Sequence, residues 1–254
     1  MNTSNSTASV DSPVTQDYIK AVWACEEWSW KGASITELAR HMNVAMSTAS
    51  ENVSRLAEAG LVHHEPYRPV VLTDKGRAIA TQMVRRHRLI ETYLVQHLGY
   101  DWDEVHDEAE ILEHAVSDRL IAAIDEILDH PTRDPHGDPI PAEDGTIKAP
   151  VLCPIQLLPV GQSAVVGRIV DDPKLLRELS KAGVGVGSTV TMLGRDTKDL
   201  LLETENGTVL SVAEDHMFVE AGDHCNPGHR HNYFGEFTTP DTDFITVKFA
   251  EPAN

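Results

Sequence analysis

Apolar positions recur at helical spacing through the first half of the chain and give way to short β-branched runs in the second. From Asp17 to Trp28, the side chains of Tyr18, Ala21, Val22 and Cys25 share one helical face. A second helix is predicted from Ser34, because Ser34 and Glu37 stand at capping-box spacing. The turn Asn43-Val44-Ala45 leads into a third helix from Ser47, with Val53, Leu56 and Ala57 on its core face and Gly60 as its stop. His63 to Leu72 reads as a two-stranded wing. Thr73-Asp74-Lys75-Gly76 opens a long helix to about Leu98, and continued apolar periodicity predicts one more helix from about Trp102 to Asp129. Prolines exclude helix from His130 to Pro141. Between Ile155 and Ala221, glycines at 161, 167, 185, 187 and 207 split β-branched runs around one helix at Pro173 to Ala182, a small β-barrel pattern.

The expected fold class is therefore mainly α with a small β part. A disordered leader (1–12) precedes a winged helix-turn-helix domain (13–75) and a helical domain (76–141). A linker (142–154), a β-barrel domain (155–222) and a C-terminal extension (223–254) follow. The polar first turn of the third helix, with Ser47, Thr48, Ser50, Glu51 and Asn52, suits contact with base edges of double-stranded DNA, and Arg55 suits phosphate. The competing reading is a winged fold used only for protein contacts. Ile79, Met83, Ile90, Leu94, Ile111, Leu112, Leu120, Ile124 and Ile127 are more apolar positions than a lone winged domain must bury, so a homodimer is expected.

Charge refines this picture. The net charge is −19. Asp11 to Arg86 carries 9 Lys/Arg and 9 Asp/Glu, whereas His87 to Asn254 carries 12 and 31, so the whole excess lies outside the proposed DNA-reading part. That permits DNA binding and predicts weak non-specific affinity. The acidic remainder attracts divalent cations. Three widely spaced cysteines, Cys25, Cys153 and Cys225, fit a reducing, cytoplasmic setting better than a disulfide framework. The Ser/Thr/Asn-rich start lacks the apolar stretch of a signal peptide, and no apolar run is long enough to span a membrane.

The candidate chemistry lies in His106-Asp107-Glu108-Ala109-Glu110-Ile111-Leu112-Glu113-His114. On a helix, His106, Glu110, Glu113 and His114 form one stripe, and His87 and Glu91 repeat the four-residue spacing upstream. Crowded carboxylates repel and buried imidazoles need partners; a divalent cation resolves both. Taken singly, His106 and Glu110 are an ordinary helix-surface pair. A hydrolytic metal site would need an open coordination position and a general base in a cleft, for which no motif is present, and a metal-storage protein would have no use for a recognition helix. The chain is not expected to be an enzyme. His63, His64 and His97 read as surface residues. His224, Cys225, His229 and His231 read as a disordered tail, since their spacing does not make a four-ligand zinc site.

The specific strings are Asp17-Tyr18, the helix-turn-helix, Leu72-Thr-Asp-Lys-Gly, Arg86-His87-Arg88-Leu89 with Glu91, Val105-His-Asp-Glu-Ala, Glu113-His-Ala-Val-Ser-Asp and His136-Gly-Asp-Pro-Ile-Pro. Through these, from about Val14 to Ala221, the chain resembles the diphtheria toxin repressor family of metal-dependent bacterial regulators. The resemblance implies a winged helix, a helical dimerisation domain and a C-terminal SH3-like domain, which residues 155–222 would form. It implies a homodimer acting on palindromic operator DNA to control metal-homeostasis genes. It also implies a regulatory metal site of Asp17, Glu110, Glu113 and His114, and an ancillary site of His87, Glu91 and His106 completed by groups from the SH3-like domain. For that completion this chain offers Asp171 or Asp172, and the proline-rich loop offers Asp134 and His136.

Iron-responsive members carry Met where this chain has Asp17 and Cys where it has Glu110. Two oxygen donors favour Mn2+ as the activating ion, with Fe2+ the alternative. Regulators that bind two adjacent manganese ions carry Glu where this chain has Lys20, so the separated two-site arrangement is expected. Metal shared by Asp17 and the dimerisation domain would tie the DNA-reading domain to the dimer scaffold.

Overall fold

The computed structural model describes residues 12–29, 32–196, 199–214, 216–220 and 244–247. These residues divide into two compact units, the first from the described residues up to 85 with 141–146 and 247, and the second from those of 86–140 and 147–246.

The first unit is built on α1 (Pro13–Ser29), α2 (Ile35–His41), α3 (Met46–Glu58), the short strands β1 (Val62–His63) and β2 (Val71–Leu72), and the start of α4 (Asp74–Leu98). Of the face expected of α1, Tyr18, Ala21 and Val22 are buried and Cys25 is half-buried; Ile19 and Trp23 join them in an interior with Leu38, Val53, Leu56, Leu61 and Leu72. Ser34 and Glu37 form the reciprocal capping box that starts α2. Asn43 in the turn takes a positive φ of 50°, and Gly60 at the end of α3 one of 70°. Thr73 Oγ1 accepts from Gly76 N at 3.0 Å and so caps α4. Gly76 is required by contact: a Cβ there would run into the carbonyl of Leu61. Buried Glu26 accepts from Leu72 N at 2.7 Å and pairs with Arg77 at 2.5 Å, fixing the base of the wing to α1 and α4.

The second unit begins within α4. Its helical core joins Leu89, Ile90 and Leu94 to Val105, Ala109, Ile121, Ile124, Leu128 and Ile140. The single helix expected from Trp102 to Asp129 is two: α5 (Val105–Leu112) and α6 (Asp118–Ile127). Ser117 restarts the helix by accepting from Leu120 N. Arg86 of α4 donates to the carbonyls of Glu113 and Val116, at 3.4 and 3.1 Å, and pairs with Asp118. The break thus satisfies its stranded carbonyls from another helix. Of the positions expected at an interface, Ile90, Leu94 and Ile124 are interior, whereas Ile111, Leu120 and Ile127 are 69, 47 and 55 % exposed.

Residues 142–154, expected as a linker, contain β3 (Ile147–Pro150) and β4 (Leu152–Pro154), with Ile147, Ala149, Leu152 and Cys153 buried. The cysteine count points away from a disulfide framework; Cys25 is a thiol outside any disulfide, but Cys153 is disulfide-bonded. β3 pairs with β10 (Phe244–Val247). β4 enters a six-stranded antiparallel sheet with β5 (Ser163–Ile169), β6 (Thr189–Asp196), β7 (Asp199–Thr204), β8 (Val209–Ala213) and β9 (Met217–Glu220), in the order β4-β9-β5-β6-β7-β8. Register shifts at Val166/Arg168 and Met192/Gly194 bend it. Helix α7 (Pro173–Ala182), capped by Asp172 and ended by Gly183 at φ 70°, lays Leu175, Leu176 and Leu179 on the sheet core. Among the described residues, no helix is long and apolar enough to cross a membrane.

The loop from His130 to Pro141 is seated on β5. Ile169 N donates to His136 O at 2.9 Å, Arg168 Nε donates to Asp138 at 2.6 Å, and Arg88 Nη1 donates to Pro139 O at 2.7 Å. Gly137, at φ 93°, lies so close to Gly167 that a Cβ would strike its carbonyl oxygen. Gly137→Ala therefore carries both backbone strain and a backbone collision, and is expected to destabilise the protein by about 1–3 kcal/mol. A lowered urea midpoint checks it; an unchanged midpoint would mean that the loop is not clamped.

Candidate metal centre and nucleic-acid interface

Four-residue spacing on α4 places His87 and Glu91 on one side of the helix, facing α5. His87 is the hub. Its Nδ1 lies 2.5 Å from Glu113 Oε2, its Nε2 lies 2.9 Å from Glu91 Oε1, and the same Nε2 is 3.2 Å from His106 Nδ1. His106 reaches Asp171 Oδ2 at 3.1 Å, Glu91 at 3.5 Å and Glu110 at 3.8 Å. His114 Nε2 is 3.6 Å from Glu113 Oε1. Because the helix ends at Leu112, Glu113 is its C-cap and His114 lies in the turn, so the four-residue stripe is partly a turn.

The burial explains the electrostatics. Glu91 and Glu113 are 2 and 0 % exposed. Burial works to raise the Glu91 pKa, but His87 and His106 outweigh it and hold the carboxyl well below its ordinary value. Asp171 and Glu91 together push His106 up to about 10. In the docked loop, Asp134 Oδ1 accepts from the backbone N of both His136 and Asp138, at 2.9 Å each. Burial and neighbouring Asp138 push Asp134 up to about 7. Asp138 is held below the carboxylate range against its burial, by Arg168 and Arg88. His136 is 1 % exposed and its Nε2 is 2.9 Å from the carbonyl of Trp102. Burial would lower its pKa, but Asp134, Glu91 and Asp171 raise it.

Three donor sets converge in this unit, each with one atom per residue within 4.8 Å of the others: His87, His106 and Glu110; Glu91, His106 and Asp171; and Glu91, Asp134 and His136. All donors are imidazole nitrogen or carboxylate oxygen, and two of the carboxylates, Glu91 and Asp134, are buried. The residues fit a divalent cation of the Mn2+ or Fe2+ type. Of the residues expected as ligands, His87, Glu91, His106, Glu110 and Asp171 come together, with His136 beside them. Glu113 and His114 adjoin the same group through His87. Asp17 stands on α1 in the first unit, half-buried. Asp172, the other aspartate offered, is used as the α7 cap, accepting from Leu175 N at 2.8 Å. The structure adds a double role for Glu113, between His87 and His114, and gives Asp134 a place beside Glu91. Asp134 is one of the two groups that the proline-rich loop offers in the sequence. His224, Cys225, His229 and His231 lie outside the described residues.

On α3, Ser47, Thr48, Ser50 and Glu51 are exposed. Asn52 is half-buried and donates to Thr48 O at 3.0 Å and Tyr18 OH at 3.4 Å. Arg55 donates to Asn52 Oδ1 at 2.9 Å and lies 3.8 Å from Glu51. The first turn thus presents unencumbered short side chains, and Asn52 and Arg55 form a braced pair behind it.

The chain matches family models described as "Iron dependent repressor, N-terminal DNA binding domain" over residues 12–70 and "Iron dependent repressor, metal binding and dimerisation domain" over 73–142, and a FeoA domain over 153–217. It is 32 % identical over 219 residues to the diphtheria toxin repressor of Corynebacterium efficiens, covering 79 % of this chain and 91 % of that protein. The iron-dependent repressor IdeR of Mycobacterium tuberculosis is 34 % identical over 194 residues, 70 % of this chain and 83 % of IdeR. A manganese-dependent transcriptional repressor solved in complex with manganese is 44 % identical, with a TM-score of 0.76 over 82 % of this chain and 99 % of that one. The structure of the manganese regulator SloR gives 29 % and 0.69, over 82 and 98 %. With its winged helix, its helical histidine–carboxylate centre and its FeoA-type sheet in this order, the chain belongs to the iron-dependent repressor family, that of the diphtheria toxin repressor.

Proposed function

We propose that this chain is a manganese-activated, homodimeric repressor that binds operator DNA and controls genes of metal homeostasis, acting in the cytoplasm. The observation that carries the choice of metal is the donor chemistry. Oxygen at Glu110 and Asp17 replaces the sulfur that iron-responsive members use, and His106 beside Glu110 belongs to a set with nitrogen and oxygen only. Iron is the competing ion, because the iron-dependent IdeR is among the relatives. A bound ion would supply the positive charge that the buried carboxylates need, and each ligating imidazole would give up its proton to it.

In this reading His87, Glu91, His106 and Asp171 hold one ion, with His136 and Asp134 at its margin. Glu110, Glu113, His114 and Asp17 hold the regulatory one, with Asp17 assigned from the family resemblance. Ile111, Leu120 and Ile127 supply apolar area for the homodimer. Palindromic half-sites meet two copies of α3, whose spacing must match the duplex repeat, so an ion that favours one arrangement of the dimer raises the fraction competent to bind.

The test is DNA binding by the full chain, titrated with manganese, iron and zinc. Manganese is expected to activate at free concentrations where zinc does not select the same response; activation by iron alone would reverse the assignment. Glu110→Cys is expected to shift the order towards iron, cobalt or zinc, and an unchanged order would break the link between Glu110 and selectivity. Asp17→Ala should keep the dimer in sedimentation and keep metal binding through the other ligands, but lose metal-activated DNA binding; full activation would remove Asp17 from the switch. Thr48→Ala should weaken specific binding by about 1–3 kcal/mol while leaving non-specific binding unchanged, as measured by competition with random duplex. Equal affinity of mutant and wild type would take Thr48 off the base edges.

A further inference from the structure

The wing ends in a residue that folding alone does not explain. Arg68 N donates to Glu65 O at 3.0 Å, closing a four-residue turn with Pro66 and Tyr67 at its centre. Tyr67 has φ 64°. That is the third position of a type II turn, where glycine or asparagine is favoured and a bulky side chain is strained. Tyr67 is also 106 % exposed, so its ring gains no packing within the chain. Pro66 and Pro69 stiffen the tip on either side. The base is fixed too: Ala33 and Val70 exchange backbone hydrogen bonds at 2.9 and 2.8 Å, and a Cβ on Gly32 would lie 2.5 Å from Val70 O. A strained, rigidly mounted and fully exposed aromatic, followed by exposed Arg68, is a contact residue without its contact.

The same unit says what the contact is. The wing follows α3 directly, with Leu61 N bonded to Leu56 O at 2.9 Å and β1 paired to β2 through Val62 and Leu72. A hairpin held at that end of a helix seated in the major groove meets the neighbouring backbone and minor groove. Arg68 supplies the cation that a narrow minor groove attracts, and the flat ring suits the apolar deoxyribose wall. We infer that Tyr67 is a DNA-contacting residue that packs its ring against the sugars of the minor groove flanking each half-site, making recognition depend on groove shape outside the base pairs read by α3. This rests on the repressor reading above.

The experiment uses the full chain with manganese and a duplex that the wild type selects from a random library. Tyr67→Gly and Tyr67→Asn both suit the left-handed backbone while removing the ring. Each is expected to keep or raise the melting temperature, and to bind the selected duplex about tenfold more weakly, the change that about 1.4 kcal/mol represents. Tyr67→Phe is expected to bind within about twofold of wild type. Changing the flanks from A·T to G·C should weaken the wild type more than the glycine variant, in which Arg68 alone still senses the groove. Wild-type affinity in the glycine or asparagine variant would overturn the inference; so would a lowered melting temperature in both, which would make the ring structural. A wild type that selects no duplex with either manganese or iron would instead bring down the repressor reading, and this inference with it.

Discussion

Two carboxylates buried on either side of one imidazole set the terms for the second unit. Glu91 and Glu113 have almost no solvent, and His87 touches both. Burying one such charge is costly, and burying two near each other more so. The surrounding chain is arranged to bring positive charge to them: His106 and His114 from α5 and the turn beyond it, and His136 from the proline-rich loop. Imidazoles answer that demand only while protonated. A divalent cation answers it at any pH where its ligands are deprotonated, which is why we propose that this arrangement receives metal instead of serving only as a core ion-pair network.

The proline-rich loop divides its labour between two aspartates. Asp138 is gripped by Arg168 and Arg88, so its charge is spent on seating the loop against β5. Asp134, whose carboxylate Oδ1 holds two backbone amides, sits near neutrality in the same protein interior. The arginines therefore do more than fasten the loop. They stabilise charge on Asp138, and that charge adds to burial in raising the pKa of Asp134, against the direct lowering by Arg88. The result is a His136–Asp134 pair positioned by structure and responsive to added charge.

What could be read from the sequence follows the range of the signals. The capping box of Ser34 and Glu37, the bounds of α7 and the His87–Glu91 pair are all written within one or two helical turns, and each was legible. The break between α5 and α6 was not, because Ile121 and Ile124 preserve the apolar rhythm across it while the stabilising group, Arg86, comes from another helix. Nor was the structured state of 147–154: β4 takes its place by pairing with β9, a partner more than sixty residues away. Asp171 and Asp172 are equivalent as letters, and only the start of α7 decides which becomes a cap. Asn52 reads as facing DNA; its bond to Thr48 O is local to α3, but its bond to Tyr18 depends on how α1 meets α3.

Arg86 has a further consequence for how such a protein changes over generations. By holding the carbonyls of Glu113 and Val116 it fixes the main chain of the donor turn from the outside, independently of which atoms the donor side chains end in. The scaffold is thus decoupled from the chemistry it presents. On the proposed reading of the site, a lineage that exchanges one donor atom for another would keep its helix break, and a single substitution could retune the sensor without costing it the fold. Diversity in metal preference within one architecture is what such decoupling allows.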